Sequence, residues 1–506
     1  MLIPLLLDRG ATVTLERQIA AQIAELMRGG RLRPGARLPS TRVLAETAAV
    51  SRNTVLRAYE LLVAEGYADT RAGSGTYLAG GLPEACLQAP HATPAMSMSL
   101  PAVMPPPLFE GPTQDLVTRN LRGPAGIDFF PGRPGARAFP LKLWRRLVTR
   151  QLGRAAASLA EYNDPAGLPA LRAAIAGMLG PARGIAADPD QIVVTAGIQE
   201  GINIAARLFV DRDTTTAAES PCYQGAAFVL RSTGGAMIPI AVDAGGLDPN
   251  ALPNCRVALL YVTPSHQYPT GATLAHERRH ALIAWARRIG CYILEDDYDS
   301  DFRYDGPPLQ ALAALAPDCV IYLGTFSKSL GAGLRLGYMV LPRPIAPAAR
   351  AAKTLLNNGN PWLEQAALAE MIQSGTYSNH LLRIRRLYMQ SRDLLVASLQ
   401  EHFAPAMIAG TNGGLHVLWR LPESSPEAVA VEAAARRVRV GVYTMARGGV
   451  FDDGGSALSR HALILGYAAV APARIGEGIA RLAAALSHSA PMTRPAERPD
   501  AAERVA

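Results

Sequence analysis

Between Thr14 and Arg28 apolar side chains recur at Leu15, Ile19, Ile23, Leu26 and Met27, a spacing of three to four that gathers them on one helix face. The run RLRPGARLPS, with its proline and glycine, stops that helix. Ser40 or Thr41 then caps a second short helix through Val50, and Ser51 caps a third to about Glu65. In each case a side-chain oxygen accepts from a free N–H of the first turn. Val55, Tyr59, Leu62 and Val63 of the third helix face inward, which leaves Arg52, Asn53 and Arg57 outside at its N-terminal end. After it, EGYADTRAGSGTYLA reads as two short strands joined by Ala72-Gly73-Ser74-Gly75 and tipped by Arg71.

From about Gly126 to Ser487 the period changes. Strand-like runs QIVVTA, VALLYVT, CYILEDD and CVIYLGT alternate with helical stretches, which predicts an α/β unit on a mostly parallel sheet. Between the two regions lie nine prolines, Pro105-Pro106-Pro107 among them, with no sustained period, as in an extended linker. The tail SHSAPMTRPAERPDAAERVA carries few large apolar residues and reads as disordered. The expected organisation is therefore 1–80, a linker 81–125, a large domain 126–486, and a tail 487–506.

The chain has 506 residues, 49% hydrophobic and 18% charged, enough for sizeable cores, and no apolar run of eighteen residues or more. That excludes a helical membrane protein. The start MLIPLLLDRG lacks the basic flank and cleavage site of a secretory signal, so the expected compartment is the cytoplasm. Five cysteines without a CxxC suit reduced thiols better than a disulfide framework or zinc site. Lysine stands only at Lys142, Lys328 and Lys353, so 47 of the 50 cations are arginine. A guanidinium stays protonated and forms no imine, which makes each retained lysine a candidate for amine chemistry. The net charge of +8 suits a polyanion partner, and the first 80 residues carry ten arginines against seven acids.

The outward face of the third helix has the chemistry to read DNA. Arginine pairs in bidentate fashion with guanine and asparagine with adenine, whereas Ser51 and Thr54 suit phosphate oxygens. The stretch LPSTRVLAETAAVSRNTVLRAYELLVAEGYADTRAGSGTYLA resembles the winged helix-turn-helix of the GntR family over nearly its whole length. The resemblance implies double-stranded operator DNA as a partner. Its contacts would come from Ser40 and Arg42 of the LPS-R turn, from Ser51, Arg52, Asn53, Thr54 and Arg57 of the helix start, and from Arg71, Ser74 and Gly75 of the wing.

In the large unit, Lys328 follows an apolar strand in IYLGTFSKSLGAGLRLGYMV. Upstream, CYILEDDYD ends another strand with Asp296, Asp297, Tyr298 and Asp299. An acid there can keep a pyridine nitrogen protonated, as pyridoxal phosphate requires, and a tyrosine can bond its phenolic oxygen. The acids alone would also suit a metal, which leaves the lysine without a role. Gly197 opens a helix straight after the strand QIVVTA, where free N–H groups favour a phosphate, and Ser327 and Arg335 can add a hydroxyl and a cation.

These pieces, in this order, resemble the fold-type I aminotransferases, and with the N-terminal module the chain from about 1 to 485 resembles the MocR branch of GntR regulators. YNDPAGLPALRAAIAGML, TPSHQYPTG, LEDDYDSDFRYDG, GTFSKSLGAGLRLGYMV and NGGLHV carry the resemblance. It implies a winged helix-turn-helix joined to an α/β fold-type I aminotransferase-like domain, with pyridoxal 5'-phosphate as cofactor. By resemblance, Lys328 forms the internal aldimine, Asp296 pairs with the pyridine nitrogen, Tyr298 bonds the phenolic oxygen and Tyr223 stacks on the ring. Asp296 is chosen over Asp297 on the family's two-residue spacing from Asp to Tyr. Gly197, Ile198 and Gln199, with Thr325, Ser327 and Arg335, would hold the phosphate, and His266 and Gln267 would lie near the cofactor.

His276-Glu277-Arg278-Arg279-His280 matches HExxH, but it belongs to an amphipathic helix and is declined as a metal site. His380 and His416 read as structural. Two classes of function stay open: a regulator whose aminotransferase-like domain senses pyridoxal phosphate or a small amine or amino acid, and a working aminotransferase with an accessory DNA-binding domain. An amino-acid aminotransferase commonly clamps the substrate carboxylate with an arginine in a late strand. Here the matching position is Ile464, with Arg460 four residues earlier, which favours the sensor. No catalytic residue is assigned, and a homodimer is expected.

Overall fold

The computed structural model describes residues 3–71, 73–80, 126–306, 308–422 and 424–487. They fall into two compact units divided between Met104 and Pro105. The linker 81–125 and nearly all of the tail lie outside the described residues. Ser487, expected to begin the tail, instead ends the last helix.

In the first unit, α1 (Leu15–Arg28) buries Ile19, Ile23 and Met27 on the predicted face. The segment before it is part of this core: Ile3 is buried, and Leu6 exchanges two backbone hydrogen bonds with the Gln22 side chain (2.8 and 2.6 Å). Ser40 caps α2 (Thr41–Thr47) by accepting from Val43 N–H, and Ser51 caps α3 (Arg52–Ala64) by accepting from Thr54 N–H. The second helix stops at Thr47, short of Val50, because Ala49 turns the chain through a left-handed φ of 52°. Val55, Tyr59 and Leu62 pack inward as expected, whereas Val63 is 38% exposed. The helical rotation of 100° per residue carries Val63 past the edge of the buried stripe that Leu62 closes. Strands β1 (Ala68–Arg71) and β2 (Gly75–Leu78) pair antiparallel as the wing, with Ala68 and Leu78 buried at its base.

The second unit is built on an eight-stranded sheet of β3 (Ile192–Thr195), β4 (Thr215–Ser220), β5 (Ala236–Asp243), β6 (Gly246–Leu247), β7 (Leu259–Val262), β8 (Tyr292–Asp297), β9 (Val320–Thr325) and β10 (Gly337–Val340). Their order is β3-β10-β9-β8-β7-β4-β5-β6. The five strands from β9 to β5 are parallel, while β10 runs against both neighbours and β6 against β5. The central strands are continuous apolar runs because helices cover both faces. On one face Leu260, Ile293 and Tyr322 pack with α4 (Pro169–Arg183), α6 (His276–Ile289) and α8 (Trp362–Gln373). On the other, Tyr261, Leu294 and Leu323 pack with α5 (Ile198–Phe209) and α7 (Ala346–Asn357). The long helix α9 (Thr376–Phe403) and α10 (Pro472–Ser487) share a second core with an antiparallel sheet ordered β11 (Met407–Ala409), β12 (His416–Arg420), β14 (Ala462–Gly466), β13 (Tyr443–Thr444).

The Ser51 cap generates an expected outcome. Ser51→Ala removes the acceptor for Thr54 N–H and should cost about 1 kcal/mol of first-unit stability, read from the denaturant midpoint of its unfolding transition.

Candidate functional site

The first unit presents a polar face made by two helix starts. Ser40 and Arg42 are exposed at the start of α2, and Ser51, Arg52 and Asn53 at the start of α3, with Arg57 one turn further. Arg52 Nε donates to Thr41 Oγ1 (3.2 Å), which ties the two starts together. Ser51 and Thr54 share their hydroxyls (2.8 Å), so both oxygens are partly committed to the cap. Arg42 pairs with Glu46 (3.1 Å) in an exposed contact of little energetic weight. On the wing, the Arg71 guanidinium lies over the Tyr77 ring (4.4 Å) and Ser74 bonds the Tyr77 hydroxyl (2.8 Å). Arg37, unremarked in the sequence, crosses beneath the wing: a Cβ on Gly75 would come within 3.3 Å of its guanidinium.

In the large unit the chemistry gathers where β8 and β9 end. Successive side chains of a strand point to opposite faces, so Asp296 and Asp297 separate. Asp296 is buried and accepts from Tyr261 of β7 (2.6 Å) through Oδ2, while its Oδ1 has no partner among the described residues. Burial pushes its pKa up to about 7, against the Tyr261 hydrogen bond. Asp297, on the other face, pairs with Arg183 (2.7 Å) and accepts from Ser300 (2.7 Å) and Tyr322 (2.5 Å). Lys328 Nζ donates to Gly132 O (2.8 Å), and burial lowers its pKa against the pull of Asp299 and Asp296. The Tyr223 ring is 37% exposed; burial, then Asp296, raises its phenol pKa, and Arg335 opposes them.

Gly197, at φ 101°, begins α5 with Ile198 and Gln199 in its first turn, where backbone N–H groups lack helical acceptors. The Arg335 guanidinium closes on this turn, donating to Ala196 O, and a Cβ on Gly197 would meet it at 3.1 Å. Thr325 Oγ1 accepts from Ser327 N–H (3.1 Å), holding both residues beside Lys328. Under the turn, Glu200 accepts from Ala196 N–H (2.6 Å) and pairs with the buried Lys353 (2.7 Å). Lys353 thus has an ionic partner, and Lys142 is exposed. Of the three lysines, Lys328 is the one whose amine faces the carboxylate cluster.

His266 is buried, with Nδ1 2.9 Å from Asp299 and 3.2 Å from the Tyr298 hydroxyl. Burial alone would lower its pKa; Asp299 and the Gly410 backbone hold it above the ordinary value. Gly414 of NGGLHV sits at φ 77°, and a Cβ there would strike His266 Cε1 at 2.3 Å and Asp299 at 2.6 Å, so both backbone and space call for glycine. His416 Nε2 donates to Pro269 O (3.2 Å), and His380 Nε2 to Ser329 O (2.7 Å). The His416 ring also lies 5.1 Å from that of His266, tilted by 53°, and joins His266 and Asp299 in one buried group. Gln267 spends its amide on Pro221 O (2.7 Å), Tyr268 O (2.8 Å) and Thr270 (2.7 Å), so it shapes the TPSHQYPTG turn. His276 and His280 are exposed on α6, their Nε2 atoms 3.3 Å apart. Ile464 is fully buried in β14, and Arg460 is exposed.

The residues that sequence reasoning missed are Tyr261, Gly132 and Glu200; Lys353 and Asp299 were singled out, but without their partners Glu200 and His266. Tyr261 had a signal: β7 and β8 run parallel with Tyr261 beside Leu294, which puts it on the Asp296 face.

Residues 15–78 match the family of bacterial regulatory proteins, gntR family, and residues 137–448 match aminotransferase class I and II. The chain is 34% identical over 485 residues to the probable rhizopine catabolism regulatory protein MocR of Rhizobium meliloti, covering 95% of each. It is 34% identical to the HTH-type pyridoxine biosynthesis transcriptional regulator PdxR of Corynebacterium glutamicum, over 90% of this chain and 93% of that one. The structure superposes on LysN, the α-aminoadipate aminotransferase of Thermus thermophilus, with a TM-score of 0.67 and 26% identity, over 75% of this chain and 95% of LysN.

Proposed function

The chain belongs to the MocR-type GntR regulators, which join a GntR helix-turn-helix to an aminotransferase-like domain, and on that premise we propose that it is a pyridoxal-phosphate-dependent transcription regulator whose large unit senses the cofactor or a small amine. The observation that carries the reading is the Asp296 carboxylate: buried, facing Lys328, with one oxygen lacking a donor.

A protonated ring nitrogen would satisfy that oxygen, so these residues fit the cofactor. When bound, pyridoxal 5'-phosphate supplies an aldehyde that links reversibly to amines and a ring that draws electrons. Lys328 would hold it, with an amine that burial keeps easier to deprotonate than an exposed lysine. Asp296 would keep a proton on the ring nitrogen, with Tyr261 orienting the carboxylate. Tyr298, set by His266 and Asp299, would bond the phenolic oxygen, and Tyr223 would stack on the ring. The first turn of α5, with Thr325, Ser327 and Arg335, would take the phosphate.

The sensor is favoured over the working aminotransferase by Ile464, an aliphatic side chain sealed into β14 where a carboxylate clamp is expected. The ligand acts by binding one state of the regulator better than another. We further propose a homodimer in the cytoplasm. No helix among the described residues is long and apolar enough to cross a membrane.

Purified protein should show the visible absorption of lysine-bound cofactor, and Lys328→Ala should abolish it; an unchanged spectrum would assign the link to another lysine. Mixed with a panel of amino acids and keto acids, the protein should change its spectrum without sustained keto-acid formation, whereas multiple turnover would favour the aminotransferase. In the DNA unit, Arg52→Ala should cost about 1 to 3 kcal/mol at the specific operator and less on random DNA, measured by titration at fixed salt. Equal loss on both would make Arg52 a phosphate contact.

A further inference from the structure

Behind the cofactor cluster, on the Asp297 face of the sheet, a cavity of about 650 Å³ opens between α4, α8 and α9. That volume lies in the range of small-molecule sites. Its wall carries the rings of Tyr322, Tyr338 and Tyr377, and its acids are Asp297 and Asp301. Asp301 is the acid short of donors. Asp297 is served at Oδ2 by Arg183, Ser300 and Tyr322, and its buried Oδ1 has no partner among the described residues. Asp301 has only the Tyr377 hydroxyl, at 3.5 Å, and that hydroxyl also bonds Ser329 (2.9 Å).

The cations nearby do not close this deficit. Arg183 is spent on Leu309 O (2.7 Å), Ser265 (2.7 Å) and Asp297. Arg385 is half-buried and turns its Nε to the backbone carbonyl of Asp301 (2.9 Å), not to the carboxylate. Burial, with Asp297 adding to it, lifts the Asp301 pKa to about 6, as befits a carboxylate that is poorly compensated. What Asp301 lacks is a directly bonded donor bearing positive charge, and the tyrosine rings of the wall suit such a donor. The Arg385 charge disfavours a dication, and an anion would meet the Asp301 carboxylate with the Arg183 guanidinium already committed to Asp297.

We propose that this cavity is a second ligand site, separate from the cofactor pocket, that takes a monovalent organic ammonium ion with a small apolar or aromatic body, its N–H donor on Asp301. Tyr298 and Thr325 line the cavity as well as the cofactor cluster, so an occupant there is coupled to whatever binds on the other side. The site stands whether or not the cofactor reading does.

The test is calorimetric titration of the full-length protein, as purified, with N,N-dimethyl-2-phenylethylamine. A tertiary amine forms no imine, so its signal cannot come from capture in place of Lys328. Wild type should bind saturably at one site. Asp301→Asn should weaken binding about tenfold or more, as expected for losing a charge-assisted contact. Gly177→Phe should block it: Gly177 lines the cavity on α4, nothing lies within 4 Å of its added Cβ, and replacing a helical glycine favours the fold. Absence of saturable binding in wild type would overturn the proposal. So would undiminished binding in either variant with a wild-type melting curve, or binding abolished by Lys328→Ala alone.

Discussion

A β-strand cannot turn two consecutive side chains to the same face, and in this protein that rule divides Asp296 from Asp297. The first carboxylate meets Tyr261 and looks toward Lys328; the second meets Arg183, Ser300 and Tyr322. Had both faced one way, the two buried carboxylates would have competed for one proton and pushed the pKa of one of them higher still. The split lets one strand end serve a reactive pocket and an internal ion pair together. Arg183 enforces it, because its three contacts bind α4 to the sheet and keep Asp297 turned from Lys328.

The proposed phosphate cup depends on a comparable close approach. Gly197 adopts φ 101°, and Arg335 takes a left-handed φ of 51° to bring its guanidinium against that turn. Any side chain on Gly197 would push the cation away, so one glycine sets the reach of an arginine far along the chain. Beneath the cup, Lys353 and Glu200 form a pair whose lysine is fully buried. An arginine would have to fit a planar fork where Lys353 points one ammonium at Glu200 and Asn360, which explains why this chain keeps lysine here. The three retained lysines therefore differ in setting: Lys353 sits in a buried ion pair, Lys328 is drawn to the carboxylate cluster, and Lys142 is exposed.

What the sequence made legible was local. The Ser40 and Ser51 caps, the wing and the apolar strand runs follow from spacings of a few residues, and the structure has them where expected, apart from the early end of α2 and the exposed Val63. The motif order also put Lys328, Asp296 and Gly197 on strand ends, where the sheet order then brought them together. What stayed hidden lies between distant segments. Gly132 meets Lys328 across 196 residues, and the Asp299 carboxylate meets His266 across 33. His416 read as a lone histidine because nothing near it in the chain reveals that β12 delivers it beside His266.

The two faces of β8 also bear on how such a molecule can respond to ligands. Tyr298 follows Asp297 directly, so the residue proposed to touch the cofactor oxygen is carried by the same strand end that ion-pairs with Arg183. A shift at this strand end in response to charge in the cavity behind it would fall on Tyr298, since the close-packed glycines Gly410 and Gly414 leave the His266–Asp299 pair little slack. Linkage then makes the effect mutual: whatever an occupant behind the sheet does to cofactor affinity, the cofactor does equally to the occupant. An enzyme that turns over gains little from such a coupling, whereas a regulator that reports on two ligands at once depends on it.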